Sequence, residues 1–150
     1  MKEIFTLGTS TRPLEEFLEI LKKYKIKLVV DVRRFPTSKL FSHFKKENLE
    51  KVLKENKIEY LHLEALGGFR KGGYKNYMKT KEFKEALKKL IKLAQKKKVA
   101  LICREKFPWK CHRASISQKL EENGFKVIHI IEKDKTWQAK KSKKVQLSFI

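Results

Sequence analysis

The stretch KLVVDV, residues 27–32, decides the fold. Leu28, Val29, Val30 and Val32 make an almost unbroken β-branched and apolar run, with no alternation between wet and dry positions. A strand with one solvated face alternates, whereas a strand covered on both faces does not. The run therefore predicts a central strand of a parallel sheet with helices packed on either side.

The neighbouring segments agree. Upstream, LEEFLEILKKY (14–24) has apolar residues at 14, 17, 18 and 21, the stripe of an amphipathic helix. Ser10 or Thr11 can cap it, and Pro13 suits its first turn. Before it, IFTLGT (4–9) reads as a buried strand. Downstream, ENLEKVLKEN (47–56) repeats the helical spacing, and IEYLHL (58–63) is the next strand. EFKEALKKLIKLAQ (82–95) is amphipathic, VALIC (99–103) is strand-like, HRASISQKLEENG (112–124) is a helix stopped at Gly124, and KVIHII (126–131) is a fifth strand. Regular alternation of strands and helices predicts an α/β chain: one three-layer α/β/α domain over residues 1–132 around a five-stranded, mostly parallel sheet. Residues 133–150 form a basic tail or an edge strand of the same domain, and the alternating VQLSFI (145–150) is the candidate for that strand.

The chain has 150 residues, enough for one domain with a real core. Its 41% hydrophobic and 37% charged residues exclude a disordered class. No apolar run reaches the length of a membrane span, and MKEIFTLGTS lacks a secretory h-region, so a cytoplasmic protein with no membrane contact is expected. Two cysteines cannot make a disulfide framework. The Lys- and Glu-rich composition is a thermophile trait, and hyperthermophile cytosols tolerate disulfides, so a Cys103–Cys111 bridge stays open. The formal net charge of +21 fits either a polyanion partner or a lysine-coated surface.

The arginines are placed less evenly than the lysines. Against 32 lysines there are six arginines. Arg12, Arg33, Arg34, Arg70, Arg104 and Arg113 all fall in loops after expected strands or at the helix start that follows one. In a parallel sheet those loops share the carboxyl edge, where ligands bind. Guanidinium forks and free helix N–H groups suit phosphate or carboxylate, so an anion site of these six with Ser10 and Thr11 is expected. Phe35, Tyr74 and Trp109 sit in the same loops and could provide a stacking platform for bases.

The candidates for chemistry are Cys111, His112, Asp31 and Glu105. Cys111 stands at an expected helix start beside a histidine and an arginine, surroundings that lower a thiol pKa. His112 offers an acid or base. Asp31 sits in a hydrophobic strand and needs a partner, which Arg33, on the same strand face, supplies as a structural ion pair or an oriented catalytic group. Cys103 ends a buried strand, where a free cysteine usually acts as a small hydrophobe. Cys103, Cys111 and His112 lack a second close ligand pair, so no metal is expected. GGFRKGG (67–73) matches neither a dinucleotide nor a P-loop fingerprint, so it reads as a mobile substrate loop and no cofactor is expected. A phosphatase or sulfurtransferase loop would need an arginine six residues after Cys103, where Trp109 stands.

TLGTSTRPLEEFLEIL, LVVDVRRFPTS, IEYLHLEALGG, YMKTKEF and ALICREKFPWKCHR together resemble the uncharacterised domain-of-unknown-function family 488, over about residues 4–131. The resemblance implies a compact α/β/α protein with motif positions at Gly8, Ser10, Thr11, Arg12, Asp31, Arg33, Pro36, Gly67, Cys103, Cys111, His112 and Arg113. It brings no settled activity, cofactor or substrate. Where that family often has a Cys-Ala-Glu turn, this chain has Cys103-Arg104-Glu105.

The first reading is a phosphate-recognising protein that binds nucleic acid or a nucleotide through the arginine- and aromatic-lined edge. The alternatives are a cysteine-dependent enzyme on a small anionic substrate, with Cys111 as nucleophile and Arg113 as clamp, and a non-catalytic binding module.

Overall fold

A computed structural model describes residues 2–38 and 40–139. Strand β1 (Glu3–Gly8) leads to helix α1 (Leu14–Lys23), β2 (Leu28–Asp31), α2 (Lys46–Glu55) and β3 (Glu59–His62). A short helix α3 (Tyr74–Tyr77) precedes α4 (Lys81–Lys96), β4 (Val99–Cys103), α5 (Arg113–Glu122), β5 (Lys126–Glu132) and β6 (Lys135–Trp137). Single 3-10 turns occupy Ser42–Phe44, Glu64–Leu66 and Pro108–Lys110.

The six strands form one sheet in the order β3-β2-β4-β1-β5-β6. The first five are parallel, and β6 runs antiparallel to β5. The fold is the expected α/β class with one strand added. That edge strand comes earlier than VQLSFI, which lies outside the described residues. It falls within the 133–150 segment expected to be a tail or edge strand, though nothing in its three exposed residues marked its position.

Every residue of β2 and β4 is buried, as an unalternating apolar run requires. Side chains of successive strand residues pass to opposite sides. Val29, Ala100, Ile102, Phe5 and Leu7 pack under α1 and α2, against Phe17, Ile20, Leu49 and Leu53. Val30, Leu101, Cys103 and Ile4 pack under α4 and α5, against Phe83, Leu90, Ile116 and Leu120. The helices on each face follow from the direction of travel across the sheet. The loop from β1 leads to the α1 face, and the loop from the adjacent β4 leads to the α5 face. Two neighbouring parallel strands whose helices leave to opposite faces create a crevice at their carboxyl ends. That crevice is where Gly8 and Cys103 end their strands.

Helix starts differ from the sequence expectation. Pro13 itself is the N-cap of α1, with no side-chain cap; Ser10 and Thr11 lie in the preceding turn. The side-chain cap is at α4, where Thr80 Oγ1 accepts the N–H of Phe83. No helix among the described residues is long and apolar enough to cross a membrane.

Candidate functional site

The loop between β4 and α5 is held on top of β1. Thr9 N–H donates to Cys103 O at 2.7 Å and Ser10 N–H to Arg104 O at 2.8 Å, prolonging the β1–β4 ladder past the strands. A Cβ on Gly8 would stand 2.0 Å from Glu105 O and 2.8 Å from Lys106 Cα, so only glycine allows the loop to cross. The crossing brings Cys111 back over Cys103, with the two Sγ atoms 3.1 Å apart. Both cysteines are free thiols, Cys103 buried and Cys111 half-buried.

Cys111 lies one residue before the cap of α5. His112 takes the N-cap position, and the Cys111 sulfur accepts the N–H of Arg113 at 3.2 Å. A thiolate is thus placed against a free amide at a helix N-terminus. The hydrogen bond from the Cys103 thiol lowers the Cys111 pKa most, the Arg113 guanidinium and amide add to it against the opposing effect of burial, and the result is a value of about 7. The same contact and burial push Cys103 well up. Of the two sulfurs, Cys111 is the one that ionises more readily.

Arg113 was expected as an open anion clamp, yet it is the largest fully buried side chain, with 0% exposure. Its Nη2 donates to Glu105 O at 3.0 Å and Lys106 O at 3.1 Å, which fixes the crossing loop. Its Nε and Nη1 have no hydrogen-bond partner among the described residues. No carboxylate pairs with it there, and the guanidinium stabilises charge on both sulfurs. A buried cation without a carboxylate requires some other negative charge, and the Cys111 thiolate meets that requirement.

The remaining candidates divide between structure and surface. Glu105 acts through its backbone carbonyl; its side chain is exposed and has no hydrogen bond or ion pair among the described residues. The His112 ring donates from Nε2 to Val32 O at 2.8 Å, which leaves Nδ1 facing Gly68, and burial holds its pKa below the usual value. Through this bond the ring straps the start of α5 to Val32, the residue after β2. Asp31 belongs to the α1 face of the sheet, away from the sulfurs on the α5 face. Its oxygens accept Arg33 N at 3.0 Å, Nε at 2.9 Å and Nη2 at 2.7 Å, and the Tyr60 hydroxyl at 2.5 Å. Four donors occupy the two Asp31 oxygens, an arrangement that fits a structural ion pair with Arg33. Burial and the Asp31 carboxylate together drive the Tyr60 phenol upward.

The six arginines do not converge. Arg12 is buried and donates to Gly8 O at 2.7 Å and Ile131 O at 2.6 Å, tying β1 to β5. Arg34 bonds Phe69 O at 2.5 Å, and Arg70 holds Gly67 O at 3.0 Å while lying 4.1 Å over the Tyr77 ring. Glu64 serves both as counterion. These bonds, with Gly67 against Arg34 and Gly68 against His112, clamp the base of the 67–73 loop that was expected to be free. Arg104 is exposed. Sequence position shows which loop carries an arginine, not whether the side chain turns inward to the carbonyls left at strand ends.

Of the expected aromatic platform, Tyr74 is a core plug: its hydroxyl donates to Leu66 O at 2.7 Å and its ring packs edge-on to Phe83. Phe35 and Trp109 do face solvent, joined by Phe69, which is 86% exposed and has φ of 58°. A non-glycine residue at positive φ with its ring in water is an unusual combination. Trp109 stacks on Phe107 and meets Trp137 from β6 edge-on. Thr6 Oγ1 and His129 Nδ1, 2.5 Å apart under α5, form a buried polar pair that the apolar strand patterns conceal.

Among the described residues no cluster of three His, Cys, Asp or Glu could hold a metal.

A search of curated proteins finds no match to the chain. The family model described as Domain of unknown function DUF488 matches residues 13–120, a span that includes Asp31, Arg33, both cysteines, His112 and Arg113. The chain belongs to the DUF488 family.

Proposed function

We propose that the crevice over β1 and β4 is a thiol-dependent catalytic site for a small anionic substrate, with Cys111 as nucleophile. The observation that carries this reading is the Cys111 sulfur, half-buried, accepting the Arg113 amide at 3.2 Å beside a wholly buried guanidinium that has no carboxylate partner among the described residues. A stable thiolate is the species that arrangement favours. Arg113 acts as its counterion and holds the loop; contact with the substrate's charge falls to exposed cations of the same loop, such as Arg104 and Lys110.

The test is the alkylation rate of Cys111 against pH in the wild-type chain, with iodoacetamide and peptide mapping to read Cys111 apart from Cys103. A rate that rises through about 7 and then levels supports the reading. A rise through the ordinary ~8.5 overturns it.

A second reading, nucleic-acid binding at the same edge, is favoured by the exposed rings of Phe35, Phe69 and Trp109 on a chain of net charge +21. Base stacking on such rings contributes about 1–3 kcal/mol per base. Phe69→Ala or Trp109→Ala should then weaken binding of a single-stranded oligonucleotide about tenfold, while Lys92→Ala changes it little. Equal losses would leave only non-specific charge attraction. The buried Arg113 is not a direct contact in this reading.

A further inference from the structure

We infer that the Cys103–Cys111 pair is a dithiol that reduces a disulfide substrate, with Cys111 as the attacking sulfur and Cys103 as the resolving one. The inference rests on the thiol site proposed above and names its substrate class.

Three observations carry it beyond a reactive cysteine. The sulfurs are 3.1 Å apart, so about 1 Å of approach reaches disulfide bonding distance. Their surroundings are unequal in the way exchange requires. Cys111 is half-buried, while Cys103 is 1% exposed at the end of β4 with its sulfur against that of Cys111. Attack from outside falls to the accessible thiolate, and resolution to the neighbour that only an already captured sulfur can meet. Third, the negative charge is held by a guanidinium and a helix amide rather than by a histidine base, since His112 Nε2 is committed to Val32 O. A site that stores a thiolate needs no base for its first step.

The reaction balances with the substrate as oxidant. The Cys111 thiolate attacks one sulfur of R–S–S–R′, forming the Cys111–S–S–R bond and expelling R′–S⁻, which takes the proton of Cys103. The Cys103 thiolate then attacks Cys111 Sγ, the bond to R breaks, and R–S⁻ leaves and is protonated from solvent. The dithiol loses two electrons and two hydrogens; the substrate disulfide becomes two thiols. An external dithiol reductant returns the enzyme to its starting state. Closing the bond draws Cys111 toward Cys103, and the adjoining 104–110 loop, pinned by Arg113 to the carbonyls of Glu105 and Lys106, has to accommodate it.

The probe is glutathione disulfide, an anionic disulfide suited to the basic loop, added to the full chain and followed by acid quench, alkylation and peptide mass mapping. Wild type should lose two hydrogens and show the Cys103–Cys111 crosslink with little adduct. Cys103→Ser should trap glutathione on Cys111, at a level about tenfold or more above wild type, because intramolecular resolution outruns an external thiol. Cys111→Ser should leave Cys103 unmodified. A stable adduct on wild type with no crosslink, or an adduct on Cys103 in Cys111→Ser, overturns the inference. The wild-type crosslink is read without any variant, so a poorly folding Cys103→Ser does not obscure the result. If Cys111 alkylates with a midpoint near 7 yet no crosslink forms, this inference fails and the thiol site stands. If Cys111 titrates as an ordinary thiol, both fail.

Discussion

Asp31→Asn is the sharpest test of how the sheet's carboxyl edge is built. Asp31 has no exposure and Arg33 has 9%, so their pair is shielded from water. The substitution removes the charge, and it turns one carboxylate oxygen into an NH2 that meets donors: the Tyr60 hydroxyl and Arg33 Nη2 on one side, or Arg33 N and Nε on the other. Either orientation leaves a guanidinium buried without a counterion. Breaking such a pair from one side costs about 3–5 kcal/mol. With a urea m-value of about 2 kcal/mol/M, the unfolding midpoint should fall by about 2 M. Far-UV circular dichroism across a urea series reads this directly. Tyr60→Phe removes one bond to a charged acceptor and should lose about 1.5–3 kcal/mol. Replacing both ions, Asp31→Leu with Arg33→Met, should recover most of the loss, because apolar packing avoids the desolvation of both charges. An Asp31→Asn midpoint within about 0.5 M of wild type would refute the reasoning and reopen a catalytic role for this carboxylate.

Gly8→Ala should cost about 3 kcal/mol or more and disturb Cys111 alkylation, because the new Cβ would stand 2.0 Å from Glu105 O on the loop that carries the thiol. Arg113→Met should raise the Cys111 titration midpoint from about 7 toward the ordinary ~8.5, read by iodoacetamide rates on samples first shown to be folded by circular dichroism; an unchanged midpoint would remove Arg113 as the counterion. His129 is held neutral by burial and, to a lesser degree, by Arg113, with its pKa lowered to about 3. The unfolded chain binds that proton near ~6.5 while the folded chain refuses it, so stability falls as pH drops from ~6.5 toward 3 with a slope of up to about 1.4 kcal/mol per pH unit. His129→Gln should flatten urea midpoints over that window by that amount, and an identical slope would place the acid sensitivity elsewhere.

The sheet was legible because its signal is physical and local. Leu28 to Val30 and Val99 to Ile102 are apolar on consecutive positions, and a strand covered on both faces buries both sides of such a run. The edge strand Lys135–Trp137 was illegible because it is three residues long and every one of them is exposed. The site was half legible. Both cysteines and Arg113 could be singled out, since a strand end followed by a helix start brings them to one edge. What local pattern cannot encode is the direction in which a long side chain turns. Arg104 and Arg113 lie nine positions apart on one loop and helix start, and one is exposed while the other is the largest fully buried side chain among the described residues. Their fates are decided by the Glu105 and Lys106 carbonyls, which become available only when the loop crosses Gly8. Tyr60, the third member of the Asp31 cluster, was missed for the same reason, because its partner lies on another strand. Thr80 was missed although a threonine directly before an amphipathic run is a readable cap.

The margins of the sheet have a consequence for how the protein behaves at high concentration. Its outer strands, β3 and β6, offer four and three residues respectively. Among the described residues, a free ladder that short, carrying Glu59 at one margin and Lys135 at the other, gives an approaching strand little backbone to zip onto. The parallel core strands, whose apolar runs would aggregate if uncovered, are all interior to these blunt borders. Long-range repulsion from a charge of +21 works in the same direction, keeping copies apart before their borders meet. Screening that repulsion with salt therefore exposes a surface already poor in templates for fibrillar growth.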